Sequence, residues 1–133
     1  MSQTNVEIAK RFVDAFNRRD LDALMDTATP DIAFFPALAG TIDDNSFQGR
    51  AGMKAYFLDV ESAWEEFRLI YDEYRDLGDR VLALGRLEGR GRGSRAAVDA
   101  PQGGIADIRD GKISCVRSYL DHGEALRAAG LSE

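Results

Sequence analysis

The apolar residues of this chain change their spacing midway along it, and that change limits the fold more than any single motif does. As far as Trp64 they recur at three and four residues, whereas from residue 66 onward they fall mainly in alternating runs. The first spacing lines one face of a helix, and the second lines one face of a strand. Helices first and a meander of strands afterwards predict an α+β domain with the helices laid on one face of the sheet. A length of 133 residues suits one core, since a chain of this size buries roughly two-thirds of its unfolded surface on folding. No repeat, linker or long low-complexity stretch divides it, so residues 1–133 read as a single domain.

Thr4 and Glu7 have capping-box spacing, and Ile8, Ala9, Phe12, Val13 and Phe16 make the apolar face of a first helix. Asp20 is a candidate N-cap for a shorter helix over residues 21–28. Thr29-Pro30 should close that helix, because the residue before a proline avoids helical angles. A short strand is expected over residues 31–35 and a loop over 36–48. A third helix is expected from about Arg50 to Trp64, with Met53, Tyr56, Phe57, Val60, Ala63 and Trp64 along one side. Strands are predicted over 66–77, 80–89, 105–108 and 113–120, the last two joined by a hairpin turn at Asp110-Gly111. A final turn or two of helix over residues 124–129 ends at Gly130.

The net charge of −6 repels a polyanion at long range, which makes nucleic acid and acidic membrane surfaces poor partners. No stretch approaches the roughly 20 apolar residues of a membrane helix. The start Met1-Ser2-Gln3-Thr4 lacks the basic flank and apolar run of a secretory signal, so a cytoplasmic location is expected. Cys115 is the single cysteine and has no internal disulfide partner; it reads as a packed strand residue or, alternatively, a reactive thiol. His122 is the single histidine, which excludes schemes that need two imidazoles. Neither a metal nor an organic cofactor is implied.

On the last strand, Ser114, Val116, Ser118 and Leu120 should share one face, and Ile113, Cys115, Arg117 and Tyr119 the other. Both faces then carry apolar groups. Helices would cover one and a second copy of the chain the other, which predicts a homodimer through the outer sheet face.

The run Phe12-Val13-Asp14-Ala15-Phe16-Asn17-Arg18-Arg19-Asp20-Leu21, the Pro30-Asp31 pair, Gln48-Gly49-Arg50, and the ending Asp110-Gly111-Lys112-Ile113 with Arg117-Ser118-Tyr119-Leu120-Asp121 together span nearly the whole chain. They resemble the nuclear transport factor 2-like superfamily, in its SnoaL-like branch. The resemblance implies a cone-shaped, curved, mostly antiparallel sheet packed against N-terminal helices around a pocket. It does not select a chemistry, because that fold hosts isomerases, cyclases, epoxide hydrolases, dehydratases and non-catalytic binders. Steroid-isomerase-like members place a general-base carboxylate, a tyrosine and a protonated aspartic acid where this chain has Phe35, Phe12 and Gly104. Polyketide-cyclase-like members use an aspartate and a histidine where Ser118 and Gly104 stand, and a serine cannot replace a carboxylic acid in proton transfer. Limonene-epoxide-hydrolase-like members use Arg-x-Asp facing a further Asp; here Arg86-Leu87-Glu88 fills the first two places and Ser118 the third.

Two readings follow for Arg86 and Glu88, which share a strand face. On the pocket side Glu88 would act as acid or base with Arg86 orienting it; otherwise the two form a structural ion pair. The Gly89-Arg90-Gly91-Arg92-Gly93-Ser94-Arg95 stretch reads either as an anion site or as a solvated hairpin. Asp121-His122 reads as a tuned base or a polar strand end. Phe34, Phe35, Leu38, Tyr56, Trp64, Val116 and Leu120 are expected to wall a pocket for a small apolar or amphipathic molecule, with Ser118 as its hydrogen-bonding group; alternatively Phe34, Phe35 and Leu38 pack under the helices, and Tyr56 and Trp64 belong to the core. The substituted catalytic positions favour a binding or accessory role, and the retained Arg-x-Glu favours an enzyme.

Overall fold

The computed structural model describes residues 4–36, 46–93 and 95–131. The expected capping box forms: Glu7 N–H donates to Thr4 Oγ1 at 3.1 Å and Thr4 N–H donates to the Glu7 carboxylate at 3.2 Å, opening α1 (Asn5–Arg18). Asp20 caps α2 (Leu21–Asp26) by accepting from Ala23 N–H at 3.1 Å. This second helix stops before Ala28, and β1 (Ala28–Phe35) begins earlier than the sequence predicts. Pro30 therefore lies inside a strand, where the β1 register shifts between Ala28 and Ala33; an irregular stretch can spare the missing N–H.

Part of the expected loop is a two-residue strand, β2 (Phe47–Gln48), paired with Ala33 and Phe34. Then come α3 (Gly49–Ala63), β3 (Trp64–Asp76), β4 (Arg80–Gly91), β5 (Ala97–Arg109), β6 (Lys112–Tyr119) and α4 (His122–Ala128). Trp64 thus opens a strand rather than closing a helix. The sheet runs β2-β1-β6-β5-β4-β3, antiparallel at every step except β1 with β6. The result is an α+β fold with a curved, mostly antiparallel six-stranded sheet against N-terminal helices. Asp110 and Gly111 have φ of 55° and 77°, the pair of positive values that a type I′ turn requires.

Helices α1 and α3 press Phe12, Phe16, Met53, Tyr56, Phe57 and Val60 onto the inner sheet face, where they meet Ile32, Phe34, Phe67, Leu69 and Leu87. On the outer face α4 lays Ala125 and Ala129 over Leu82, Leu84 and Ile105. One expectation about the faces is overturned. The β5–β6 register shifts so that Ser114 is an extra, bulged residue, and Ile113 turns to the same inner side as Val116. A single bulge flips the parity, so Ile113 does not belong with Cys115, Arg117 and Tyr119.

The FNRRD stretch holds β3, the edge strand, against α1. Asn17 Nδ2 donates to Leu69 O at 2.8 Å while Asn17 Oδ1 accepts from Leu69 N–H at 3.0 Å, so one amide pairs with the strand as a neighbouring strand would. Arg19, at φ 57°, donates to Phe16 O at 2.6 Å and to Phe67 O at 2.7 Å, and its guanidinium lies over the Phe16 ring at 5.1 Å. Among the described residues no helix is long and apolar enough to cross a membrane.

Candidate functional site

Strand alternation assigns the two faces of β4. Val81, Ala83, Gly85, Leu87 and Gly89 point inward, and Leu82, Leu84, Arg86, Glu88 and Arg90 point outward; the unbroken β4–β5 register leaves no bulge to change this. Leu87 is 1% exposed and belongs to the inner core. The pocket-side placement of Arg86 and Glu88 is therefore corrected: both stand on the outer face. Arg86 Nε lies 3.1 Å from Glu88 Oε2 and 3.8 Å from Asp99 Oδ1 in a solvated ion-pair cluster, an arrangement that contributes little to stability.

The inner face encloses a cavity of about 40 Å³ between α1 and the sheet, bordered by Phe12, Val13, Phe34, Leu69, Tyr71, Tyr74, Ala83, Val116 and Ser118. A second space of about 10 Å³ adjoins it, bordered by Phe34, Pro36, Tyr56, Phe67, Leu69, Leu87, Gln102 and Ser118. Phe34, Leu69 and Ser118 border both. Among the described residues every side chain on these walls is uncharged. The larger cavity is well below the ~150 Å³ of an apolar cavity that takes up benzene; Phe12 and Phe34 occupy much of the interior.

Among the described residues, five polar side chains line this interior: Gln102, Tyr71, Ser118, Tyr56 and Tyr74. Gln102 is 3% exposed, and its Nε2 donates to Tyr71 Oη at 3.1 Å. Burial pushes the Tyr71 phenol far above its ordinary range, outweighing the Gln102 hydrogen bond that pulls it down, so it stays a neutral O–H. Tyr56 and Tyr74 are raised for the same reason. Ser118 contributes a hydroxyl where the two spaces meet. Among the described residues, no side chain on these walls carries a charge near neutral pH.

Of the sequence-predicted wall residues, Phe34, Tyr56, Val116 and Ser118 come together here. Phe35 does not, since alternation turns it to the outer face, where the Arg117 guanidinium sits 5.3 Å from its ring. Trp64 packs edge-on against Phe67 at 5.2 Å and borders a surface depression beside Arg19 and Arg92, away from the cavity. Leu120 lies beyond β6 and is 37% exposed. Leu38 falls outside the described residues. Tyr71 and Gln102 escaped the sequence reading, although Phe67, Leu69 and Tyr71 alternate as one inner face and carried the signal for the first.

The remaining motifs take structural roles. Arg92 Nε donates to Glu61 O at 2.6 Å and so closes the end of α3, while Arg90 and Arg95 lie 3.9 and 3.8 Å from Glu66 and Glu65. Asp121 caps α4 through Gly123 N–H at 2.8 Å, and His122 Nε2 meets Gly85 O at 2.8 Å. Cys115 sits half-buried on the outer face. Its thiol is pushed up, chiefly by burial, which disfavours the reactive thiolate.

The SnoaL-like domain family matches residues 9–116. No protein of curated function matches the sequence. Among solved structures, an NTF2-like protein of unknown function from Burkholderia pseudomallei K96243 superposes with a TM-score of 0.77 at 21% identity, covering 94% of this chain and 96% of that one. A protein with the ketosteroid isomerase-like fold from Catenulispora acidiphila DSM 44928, in complex with trimethylamine, gives 0.74 at 18% identity over 97% and 95%. A candidate polyketide cyclase from Xanthomonas campestris pv. campestris gives 0.69 at 24% identity over 90% and 92%.

Proposed function

The chain belongs to the SnoaL-like domain family, and from that premise we propose that it is a non-catalytic binding protein whose inner cavity receives a small, largely apolar, uncharged molecule. The observation that carries this reading is the uncharged wall: hydroxyls and one amide converge in an apolar space that, among the described residues, no acidic or basic side chain lines. The Catenulispora relative in complex with trimethylamine agrees with a ligand of only a few heavy atoms. The test is a thermal-shift screen of small uncharged ketones, alcohols and hydrocarbons against the wild type and Ala83→Leu, which extends a side chain into the cavity. A ligand at a hundred times its Kd should stabilise the wild type by about 2.7 kcal/mol and leave Ala83→Leu unshifted. Chemical conversion of a hit, or equal shifts in both proteins, would overturn the reading.

A homodimer through the outer face remains part of the proposal. Ile113 does not stand on that face, but Phe35, Ile70 and Pro101 do, outside the cluster that α4 covers. Sedimentation equilibrium should give a dimer for the wild type and a monomer for Ile70→Asp; a monomeric wild type at micromolar concentration would sink the idea. A cytoplasmic location agrees with the lone, disulfide-free Cys115.

A further inference from the structure

Gly85 separates Tyr71 of β3 from Gln102 of β4's other neighbour, β5, in one row across the sheet. Gln102 Nε2 donates to Tyr71 Oη across Gly85 at 3.1 Å, and β3 approaches so closely that a Cβ on Gly85 would begin 2.6 Å from Tyr71 Cα. In the next row Gly104 pairs with Ser118, and a side chain at Gly104 would begin 3.1 Å from the Tyr71 hydroxyl. Tyr71, Gln102 and Ser118 thus gather beside two glycines, in an interior that is otherwise hydrocarbon apart from the phenols of Tyr56 and Tyr74.

The hydrogen-bond count leaves this cluster incomplete. Tyr71 Oη accepts from Gln102, which leaves its own hydrogen to donate, and among the described residues nothing receives it. Turning the Gln102 amide over changes the sharing but not the outcome: the phenol would then donate to the amide oxygen and the NH₂ group would be left over. Either way the pair presents a spare donor. Ser118, half-buried where the two spaces meet, adds a hydroxyl that can donate as well. The Gln102 amide is buried, and a donor left over beside it costs free energy until an acceptor meets it.

We propose that Tyr71, Gln102 and Ser118 form the specificity site of the cavity, and that they select a neutral ligand carrying an acceptor oxygen, foremost a ketone or aldehyde carbonyl. The inference rests on the binding reading above. A carboxylate ligand is disfavoured because no cation on the wall would offset its desolvation, and the same holds with signs reversed for an ammonium. Tyr71 is the residue that decides the preference, because its phenol stays protonated and borders the larger space.

The test compares cyclobutanone with methylenecyclobutane, which replaces the carbonyl oxygen by CH₂ at nearly constant shape. Affinities are read from methyl NMR shifts of Ile113 and Val116 in the wild type and in Tyr71→Phe, with melting curves to confirm that the variant is folded. Comparing the ketone-to-alkene affinity ratio between the two proteins cancels the ligands' difference in hydration. That ratio should fall about tenfold in Tyr71→Phe, the loss of one hydrogen bond in an enclosed site. Both ligands binding with an unchanged ratio would overturn the carbonyl preference while leaving the binding reading intact. If neither ligand moves those methyl signals in the wild type, the binding reading fails and the preference falls with it.

Discussion

Alanine at Gly85 is expected to destabilise the protein by about 3–5 kcal/mol, a large share of the roughly 5–15 kcal/mol that holds a domain folded. A methyl group there would lie 1.9 Å from the carbonyl oxygen of Ile70 and 2.6 Å from Tyr71 Cα. Both are backbone atoms, so no side-chain rotation relieves the clash, and β3 must lift from β4. That strand pair runs from Trp64 to Asp76 and carries a register shift beside this point, between Tyr71 and Glu73. Urea denaturation of Gly85→Ala beside Gly78→Ala separates this effect from backbone strain, because Gly78 has φ 96° but nothing within 4 Å of an added methyl. Gly78→Ala should cost about 1 kcal/mol. A Gly85→Ala cost no larger than that would show that β3 does not need its close approach. Any folded Gly85→Ala protein should also lose the ketone preference, since the same clash displaces Tyr71.

The helices were legible because their signals are local. Thr4, Glu7 and Asp20 cap through neighbours three residues away, and the apolar face of α1 is set by spacing alone. The hairpin at Asp110-Gly111 was equally local. The first half of β5 was not: residues 97–104 contain Pro101, Gly103 and Gly104, which no strand propensity favours. They are extended because β4 offers an unbroken partner from Arg80 to Arg90, and beyond Gly103 no β6 residue pairs on the other side, an edge where a proline is tolerated. The early start of β1 likewise depends on β6, since Ile113 N–H donates to Thr27 O at 2.8 Å across 86 residues of chain.

At the site, the resemblance misled where plain alternation would not have. Matching Arg86-Leu87-Glu88 to a catalytic Arg-x-Asp sent two charges inward, yet the second half of β4 places Arg86, Glu88 and Arg90 on one face and Leu87 between two glycines on the other. Leu87 alone settles which face is core. For Phe34 and Phe35 the sequence offered two adjacent aromatics and no means to choose, and pairing with Val116 and Arg117 decides between them. Gln102 was invisible because its strand was.

Phe16→Ala should cost about 3–5 kcal/mol and lower the melting temperature by roughly 10–20 °C, the second large effect expected. Phe16 is 1% exposed and its ring stands 5.7–6.3 Å from those of Phe34, Tyr56, Phe57 and Phe67, with the Arg19 guanidinium at 5.1 Å. These partners come from β1, α3 and β3, so a hole at Phe16 loosens three elements from α1 at once. Collapse around it is restricted, because Arg19 and Asn17 anchor the end of α1 to Phe67 and Leu69 by backbone hydrogen bonds. Phe16→Leu keeps most of the volume and should cost less than half as much. Phe34, which forms one wall of the cavity, would lose its support at Phe16, so Phe16→Ala should also admit larger apolar molecules than the wild type does. Chemical denaturation and ligand-induced melting shifts read the two effects separately. A cost below about 1.5 kcal/mol would mean that the aromatic cluster packs around some other residue, and that the cavity owes its narrow shape to the sheet rather than to the first helix.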